Sequence, residues 1–418
     1  MRHTPSRTRT SAALIALLCV AFVASCGGHT EGGTGADAID GASVVADEAL
    51  ERDVIQWVGE EVIASGYAAV GAAAAELQSA VAEACPAWEK TPADADAALA
   101  QSRAAWTKLM VAWQRVVAIK AGPAYAPEQL VGEVVYSWPL VSTCAVDQDV
   151  MKLHEATDGG YDLSARPVNR RGVDALEYLL FAKNYEGTCS NVIAPKGWKD
   201  LNDSQRAAAR CKFATVVAED LSAQVKLLTD AWDASNEQSF LSSQWLKAGE
   251  AGGISTRKAA LNLLSDSLFY LHDVVMDIKL GAALGIKTNP CGAVDAACVD
   301  ALESKQAAVS KEILIANLEG FGALLSGKNA EGKEGASFDE LLAELDAKDL
   351  ADDMKAKTEA AIAAVNAIDG SLAEALKSDY ASVLKAHDAV VALVKVLKGE
   401  FMLTVGLDIP KEAAGDND

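Results

Sequence analysis

Two acidic side chains, Asp174 and Glu177, lie three residues apart in a stretch that is otherwise free of charge. On a helix, side chains at this spacing share a face, so the two carboxylates would point the same way. Between Val173 and Ala182 they are the only charged residues, which is typical of a helix buried on nearly all sides. Buried carboxylates are costly unless they are paired, protonated or bound to a cation. The pair is therefore the first candidate for a ligand or metal site.

Positive charge close to the pair comes from Arg170 and Arg171, which directly precede it. We expect one or both to supply counter-charge to the acids. Lys279 is a third cation, which could either reach a buried acid or extend to solvent. Two interpretations stay open: a structural ion pair at a helix N-terminus, where the helix dipole also favours acids, or a site for a metal or another ligand.

Among the histidines, His154 precedes the loop that leads to Arg170 and is a candidate to fold back toward Asp174. His272 and His387 each adjoin an aspartate and are expected on helix faces. The sequence contains neither an H-E-x-x-H zinc helix nor a G-x-S-x-G nucleophile turn. Peptidase chemistry therefore has little support from these residues.

Six cysteines lie beyond residue 26, and an even number in an exported chain suggests up to three disulfides. Cys291 and Cys298 are closest in sequence and are the expected pair, whereas the sequence leaves the other pairings open. The six disulfide candidates are Cys85, Cys144, Cys189, Cys211, Cys291 and Cys298.

Apolar residues recur at helical steps along most of the chain, and strand-type alternation is nearly absent. The first stripe, from Val54 to Val81, predicts a helix ending near Cys85-Pro86. Thr91-Pro92 is typical of the N-cap and first turn of a second helix, which stops at Gly122-Pro123. Later helices are predicted over 172–184, 204–234, 256–282, 296–325, 337–345, 350–368 and 371–403.

These segments predict an all-α protein built of antiparallel helical bundles. The glycines between Ala248 and Ser255 mark the best boundary, which would leave an N-terminal bundle over 42–248 and a C-terminal bundle over 255–412. An old duplication could relate the two bundles. Three tryptophans are expected in the core, with a ligand-lining role as the alternative: Trp106, Trp113 and Trp138.

The N-terminus has the features of an export signal: arginines are followed by an uncharged stretch from Ala12 to Ser25. The sequence Val23-Ala24-Ser25-Cys26 resembles the bacterial lipobox, in which the cysteine is acylated. We therefore expect residues 1–25 to be a removable signal peptide, Cys26 to be lipidated and residues 26–41 to form a flexible tether. The lipid would anchor the protein to a membrane of the cell envelope, and Gly27 favours the outer over the inner membrane.

The full chain carries a formal net charge of −22. Such an acidic protein is not expected to bind nucleic acid, because it would repel the phosphate backbone. The same charge is compatible with cationic ligands.

Four segments resemble imelysin-like proteins and occur in that family's order. Gly172–Phe181 is similar to the family signature G-x-H-x-x-E-Y-L-L-F. Trp106 and Trp113, which precede Gly122-Pro123, are similar to the family's tryptophan helix. Ser137–Leu140 is similar to its Trp-Pro turn. Met276–Gly281 is similar to an Asp-x-Lys-x-Gly stretch of its second half. The resemblance extends from about Val54 to Gly406.

The resemblance implies a two-bundle helical envelope protein linked to iron regulation and uptake, in a family that also carries a peptidase label. Gly172 and Glu177 match the motif, but Asp174 stands where the family has histidine. An aspartate cannot supply an imidazole base near neutral pH. Two carboxylates instead favour hard cations such as ferric iron, Mn²⁺ or Ca²⁺.

We therefore predict a non-catalytic lipoprotein that serves the uptake of iron or another metal nutrient, with Asp174 and Glu177 as ligands. Its partners would be the membrane, through the lipid, and envelope iron-uptake proteins. A metal-dependent peptidase and a structural or partner-binding lipoprotein are the alternatives.

Overall fold

Helices account for the regular structure of the chain in the computed structural model, which describes residues 47–90, 94–126, 131–157, 160–408 and 410. The predicted signal peptide, Cys26, the tether and the Thr91-Pro92 cap lie outside the described residues. No strand occurs within the described ranges, so the all-α prediction is confirmed.

The α-helices are α1 Glu48–Trp57, α2 Ala64–Lys90, α3 Ala95–Val116, α4 Val131–Val135, α5 Thr143–Glu155, α6 Gly172–Phe181, α7 Asp203–Ala231, α8 Arg257–Leu268, α9 Ala282–Leu284, α10 Ser310–Ser326, α11 Phe338–Glu344, α12 Lys348–Asn366, α13 Leu372–Ser378, α14 Tyr380–Val396 and α15 Met402–Val405. Segments of π-helix cover Val58–Ile63, Leu241–Trp245, Leu271–Gly281 and Leu397–Phe401. Short 3₁₀ turns lie at Val168–Arg170, Trp198–Asp200 and Val299–Ala301.

The apolar stripes found in the sequence form the core. Helix α2 buries its stripe, including Val70, Leu77 and Val81, and packs against α3 and α7. Farther along the chain, α12 packs against α14 and α10. Helix α10 also packs against α3, so segments on both sides of the predicted boundary are in direct contact.

The predicted end of the first helix near Cys85-Pro86 is wrong, because α2 continues to Lys90 with Pro86 inside it. Proline removes one backbone hydrogen bond from a helix. Here the next turn is held by Trp88, which is buried and donates from Nε1 to the Tyr185 hydroxyl at 2.6 Å. Tertiary packing at Trp88 therefore outweighs the local preference of the proline to end the helix.

The predicted helix over 296–325 is also wrong in its first half, because α10 begins only at Ser310. Ser304 and Ala308 have φ values of 47° and 59°, in the left-handed region that a right-handed helix cannot contain. The predicted helix over 371–403 is interrupted at Asp379, which caps α14 by accepting from the Ser382 N–H. The other predicted helices agree with the structure to within a few residues.

Three disulfides join the six cysteines, and the expected Cys291–Cys298 bridge is confirmed. The Cys85–Cys211 bridge ties α2 to α7. The Cys144–Cys189 bridge ties α5 to the loop that follows α6.

The chain turns between Ala248 and Ser255, where Gly249 and Gly252 adopt φ values of 84° and 90°. The described residues on both sides of this turn belong to one compact unit. The division into two bundles over 42–248 and 255–412, and their relation by duplication, stay predictions. None of the helices within the described ranges is long and apolar enough to cross a membrane.

Candidate functional site

Helix α6 carries the acid pair, and the backbone of Gly172 fixes where this helix starts. Gly172 has a φ of 73°. A Cβ on it would lie 2.3 Å from the carbonyl oxygen of Val134 and 2.5 Å from that of Val135. Only glycine fits this approach, which sets α6 directly against the end of α4. At the same end of α6, Trp106 Nε1 donates to the Val173 carbonyl at 2.8 Å.

Asp174 is almost completely buried, with 3% of its surface exposed. Its Oδ2 accepts from the backbone N–H of Ser137 at 2.6 Å and from that of Trp138 at 3.1 Å. Both donors belong to the turn that follows α4. These hydrogen bonds satisfy one carboxylate oxygen but bring no positive charge to it.

Glu177 lies one turn farther along α6 and faces the irregular loop before α10. Its Oε1 accepts from the backbone N–H of Gln306 at 3.0 Å and from that of Ala307 at 3.1 Å. The loop can present both donors because it is bent at Ser304 and Ala308, two non-glycine residues of this loop that have positive φ. Backbone conformations of this kind are strained and cluster at functional sites.

A third acid, Glu303, begins this loop and forms a buried ion pair with Lys279. Lys279 Nζ lies 2.8 Å from Glu303 Oε2, and each side chain is at most 3% exposed. The same ammonium donates to Gln114 Oε1 at 2.7 Å and to Asn317 Oδ1 at 2.8 Å. Glu303 Oε1 accepts from the Tyr136 hydroxyl at 2.6 Å. Lys279 belongs to the π-helix Leu271–Gly281, and π-helical turns often occur at functional sites.

The charges in this cluster do not balance, because three acids lie around one lysine. The pKa of Asp174 is raised to about 7, chiefly by burial; the nearby charges of Glu303 and Glu177 add to the rise, and the N–H groups of Ser137 and Trp138 oppose it. Burial likewise raises the pKa of Glu177 to about 7, with Glu303 adding to the effect and the N–H groups of Ala307 and Gln306 opposing it. Burial also lowers the pKa of Lys279, although Glu303 and Asp174 favour its charged form.

One buried hydrogen-bond donor at the edge of the cluster has no partner among the described residues, the Trp113 Nε1–H. The Ser304 hydroxyl is a hydrogen-bond partner of Glu177, and the Tyr270 hydroxyl is a partner of Tyr136. The Trp113 ring lies 6.4 Å from the Tyr136 ring, and the Tyr270 hydroxyl is close enough to Glu303 for that charge to raise its pKa. A buried donor without a partner is rare in folded proteins and calls for an explanation.

The structure places Lys279 beside Asp174, which is one of the two alternatives that the sequence left open. It also places Trp138 there, only half-buried, whereas this tryptophan was expected in the core. Lys279 Nζ lies 5.8 Å from the centre of the Trp138 ring. Trp113 lies at the edge of the same cluster, beside Tyr136. Trp106 is a core residue, packed edge to face on Phe181 with ring centres 5.1 Å apart.

The two arginines do not pair with Asp174 or Glu177, which corrects the expectation that they neutralise these acids. Arg170 pairs with Asp149 on α5 at 3.1 Å, and Arg171 pairs with Asp220 on α7 at 2.7 Å. Both arginines precede the first turn of α6, and their side chains extend to the neighbouring helices instead of along its axis. The raised pKa values of the acid pair therefore develop without a bonded arginine.

The structure does not bring His154 to the acid pair through any bond. His154 is exposed in the last turn of α5 and makes no hydrogen bond or ion pair among the described residues. His154 therefore does not supply the imidazole that this sequence lacks at position 174.

Five residues of the cluster were not predicted from the sequence. Tyr136 directly precedes the Ser137-Trp138 turn, which was a signal that could have been used. The other four lay within stretches that only suggested helix, and nothing local marked them: Gln114, Tyr270, Glu303 and Asn317.

The acids do not form a ready coordination cage. Within the part of the chain that the structure describes, no three histidine, cysteine, aspartate or glutamate side chains are grouped so that they could hold a metal ion. A cation at Asp174 and Glu177 would therefore take most of its ligands from elsewhere.

Comparison with known proteins gives one family match. The sequence model of the imelysin family matches residues 63–398. None of the curated proteins compared with the chain is similar to it.

Solved structures with a similar fold include two that cover most of this chain. The crystal structure of an iron-regulated protein A precursor from Parabacteroides distasonis has a TM-score of 0.61 and 19% identity, over 86% of this chain and 95% of that one. An imelysin-like protein from Psychrobacter arcticum has a TM-score of 0.62 and 15% identity, over 88% of this chain and 99% of that one.

Proposed function

The chain belongs to the imelysin family, and from that premise we propose that it is a non-catalytic binding protein for iron or another hard metal nutrient. Asp174 and Glu177 contact the cation. The protein works in the bacterial cell envelope, held to a membrane by a lipid on Cys26, and passes its cargo to envelope uptake proteins.

The observation that carries this proposal is the unbalanced charge of the buried cluster. Of the buried Asp174, the half-buried Glu177 and the buried Glu303, only Glu303 pairs with the one lysine of the cluster, Lys279. A buried carboxylate without a counter-charge must bind a proton or a cation. The pKa values of about 7 mean that a cation can replace protons on both acids near neutral pH. Carboxylate oxygens are ligands that hard cations prefer.

Two further observations support the iron and envelope parts of the proposal. One structure with the same fold is described as an iron-regulated protein precursor. The N-terminal residues have the order of an export signal followed by a lipobox-like cysteine.

A structural role for the two acids is the second candidate, and the backbone hydrogen bonds favour it. Asp174 accepts from the 137–138 turn and Glu177 from the 306–307 loop, so each carboxylate fixes a piece of irregular chain. In that case, replacing the acids would destabilise the protein without changing metal binding. The peptidase alternative is not proposed, because Asp174 stands at the motif histidine and His154 is exposed.

Equilibrium dialysis tests the proposal, with the chain from Gly27 placed against iron in excess citrate or against Mn²⁺. The Asp174→Asn/Glu177→Gln variant should retain at least about tenfold less metal, which corresponds to about 1.4 kcal/mol of binding free energy. Asn and Gln keep the shape of the side chains but remove the charge.

Asp53→Asn/Glu83→Gln is the matched control, because both acids are exposed on α1 and α2 and the charge change is the same. Equal metal retention by all three proteins would show that Asp174 and Glu177 do not bind the metal. Thermal unfolding of each protein shows whether a loss of binding reflects a loss of fold.

A further inference from the structure

We infer that the protein has a second binding site, which takes a tetrahedral oxyanion of the phosphate class. The site is formed by Lys152, Arg166 and Arg170, whose side chains converge on Asp149 of α5. This inference goes beyond the proposed function and does not depend on it.

The first observation is an excess of positive charge around one carboxylate. Arg166 binds Asp149 through Nε at 3.0 Å and Nη2 at 2.9 Å, and Arg170 binds the same carboxylate through Nη1 at 3.1 Å. Lys152 Nζ lies 3.5 Å from Asp149 Oδ1. Three cations therefore share one negative charge, in a chain whose formal net charge is −22. A bound anion would balance the remaining positive charge.

The other acids near this cluster do not balance it. Asp220 is held by Arg171 through two hydrogen bonds. Asp162 is exposed and accepts two hydrogen bonds within its own turn. Glu155 is exposed in the last turn of α5 and forms no ion pair within the described ranges. The positive charge of the cluster is therefore left for an anion from solution.

The second observation is the set of N–H groups that Asp149 leaves unused. A guanidinium group has five N–H bonds, of which Asp149 uses two from Arg166 and one from Arg170. Arg166 Nη1 and Arg170 Nη2 make no hydrogen bond to the described residues, and Arg170 Nε is buried without a partner among them. A buried donor without an acceptor is costly. Guanidinium groups match the geometry of phosphate, so an oxyanion is the ligand that these donors favour.

The third observation is that the cations can be reached from solvent whereas the carboxylate cannot. The side chain of Asp149 is 0% exposed, and those of Arg170, Arg166 and Lys152 are 13%, 25% and 51% exposed. An anion can therefore approach from the side of Lys152 without displacing Asp149. The ligand chemistry is that of a phosphate group, which can be free phosphate or the head of a phosphate monoester.

Equilibrium dialysis against radiolabelled inorganic phosphate tests the inference, with the chain from Gly27 in a chloride buffer at neutral pH. The wild type should bind about one phosphate per chain with a Kd of about 1 mM or tighter. Lys152→Gln/Arg166→Gln should bind phosphate at least about tenfold more weakly. Lys152→Gln alone changes an exposed residue that the fold does not need, and it should weaken binding about threefold or more.

Arg257→Gln/Lys258→Gln is the matched control, because it removes the same two positive charges. Arg257 and Lys258 are 22% and 52% exposed, close to the values for Arg166 and Lys152. Arg257 pairs with two acids, however, so it carries no excess of positive charge. This variant should bind phosphate like the wild type.

The inference is overturned if the wild type shows no saturable phosphate binding, or if the control loses as much affinity as Lys152→Gln/Arg166→Gln. It is also overturned if Lys152→Gln binds phosphate as tightly as the wild type. Thermal unfolding shows whether each variant is folded, and Lys152→Gln decides the test if the double variant is not.

Glycerol phosphate is a second probe that distinguishes the two sources of the phosphate group. Binding as tight as that of inorganic phosphate would assign the site to a monoester whose alcohol lies outside the cluster. Binding at least about tenfold weaker would assign it to the free anion. Either result supports the inference once inorganic phosphate itself binds.

Discussion

At the scale of single residues, the acid pair is held by backbone donors and not by arginine. Backbone N–H groups stabilise a carboxylate through hydrogen bonds but carry only partial charge. Asp174, which is buried, and Glu177, which is half-buried, can therefore be held in one fixed geometry while their pKa values stay near 7. A bonded arginine would have stabilised the charged form and left less reason for a cation to bind.

The raised pKa values predict a loss of stability as the pH rises from about 4 to about 7. Below this window the two acids are protonated in both the folded and the unfolded chain. Within it the unfolded chain releases the protons while the folded chain retains them, so the free energy of unfolding falls as pH increases. Each pKa unit corresponds to about 1.4 kcal/mol. The charged and polar groups that face the acids are Glu303, Lys279, Tyr136 and Tyr270.

Urea unfolding between pH 4.5 and 8 checks this prediction. Asp174→Asn/Glu177→Gln should show a distinctly smaller fall in unfolding free energy over the window than the wild type. Asp53→Asn/Glu83→Gln should keep the wild-type slope, since its acids are exposed. Parallel curves for all three proteins would show that the acid pair does not titrate near 7.

At the scale of elements, helix α6 and the loop before α10 position the site together. Helix α6 places Asp174 and Glu177 on one face, and the loop closes on that face with Glu303 and the 306–307 donors. The loop has the composition of a helix, but the left-handed residues Ser304 and Ala308 turn it away from helical geometry. The segment does not form the locally favourable helix here, because as a loop it donates two hydrogen bonds to the half-buried carboxylate of Glu177.

Gly172→Ala should destabilise the protein by at least about 2 kcal/mol and reduce metal retention. A Cβ at this position would meet the carbonyl oxygens of Val134 and Val135 at the end of α4. Alanine is also strained at a φ of 73°. The start of α6 would have to move, and the acids would move with it. Denaturant unfolding and equilibrium dialysis measure the two effects.

Gly399→Ala is the control for this substitution, because nothing lies within 4 Å of the added Cβ. Gly399 lies in the π-helix Leu397–Phe401 and does not have a positive φ, so alanine at this position should be neutral or slightly stabilising. Equal stability of the two alanine variants would contradict the role given to Gly172.

At the scale of the whole molecule, the site is built from segments far apart in the chain. Gln114 on α3 bonds Glu303 across a separation of 189 residues, and Asn317 on α10 bonds Gln114 across 203. Gly320 of α10 lies so close to α3 that a Cβ would be 2.3 Å from the Arg115 carbonyl oxygen. The buried polar network and this close helix contact join both sides of the 248–255 turn.

We expect the chain from Gly27 to unfold in one cooperative thermal transition. The two predicted halves share the α3–α10 contact and the hydrogen bonds of the acid cluster, so neither half can lose its structure without exposing the other. Calorimetry under non-reducing conditions should give equal calorimetric and van't Hoff enthalpies. Two separate transitions would instead support independent bundles over 42–248 and 255–412.

The features of this protein that depend on near neighbours in the chain could be predicted from the sequence. Helical periodicity is local, so most helices, and with them the all-α fold, could be predicted. The spacing of Asp174 and Glu177 is also local, and it identified the face on which the site is built. The short separation of Cys291 and Cys298 made their bridge predictable in the same way.

The groups that contact those acids come from distant segments and could not be predicted in this way. Lys279, Glu303, Gln114 and Asn317 come together through helix packing, and contacts between distant segments leave no periodic mark in a sequence. The same packing pairs Arg170 and Arg171 with other acids. It also turned the 303–308 segment from a predicted helix into the loop that binds Glu177, because satisfying a buried charge outweighs the small preference of each residue for helix.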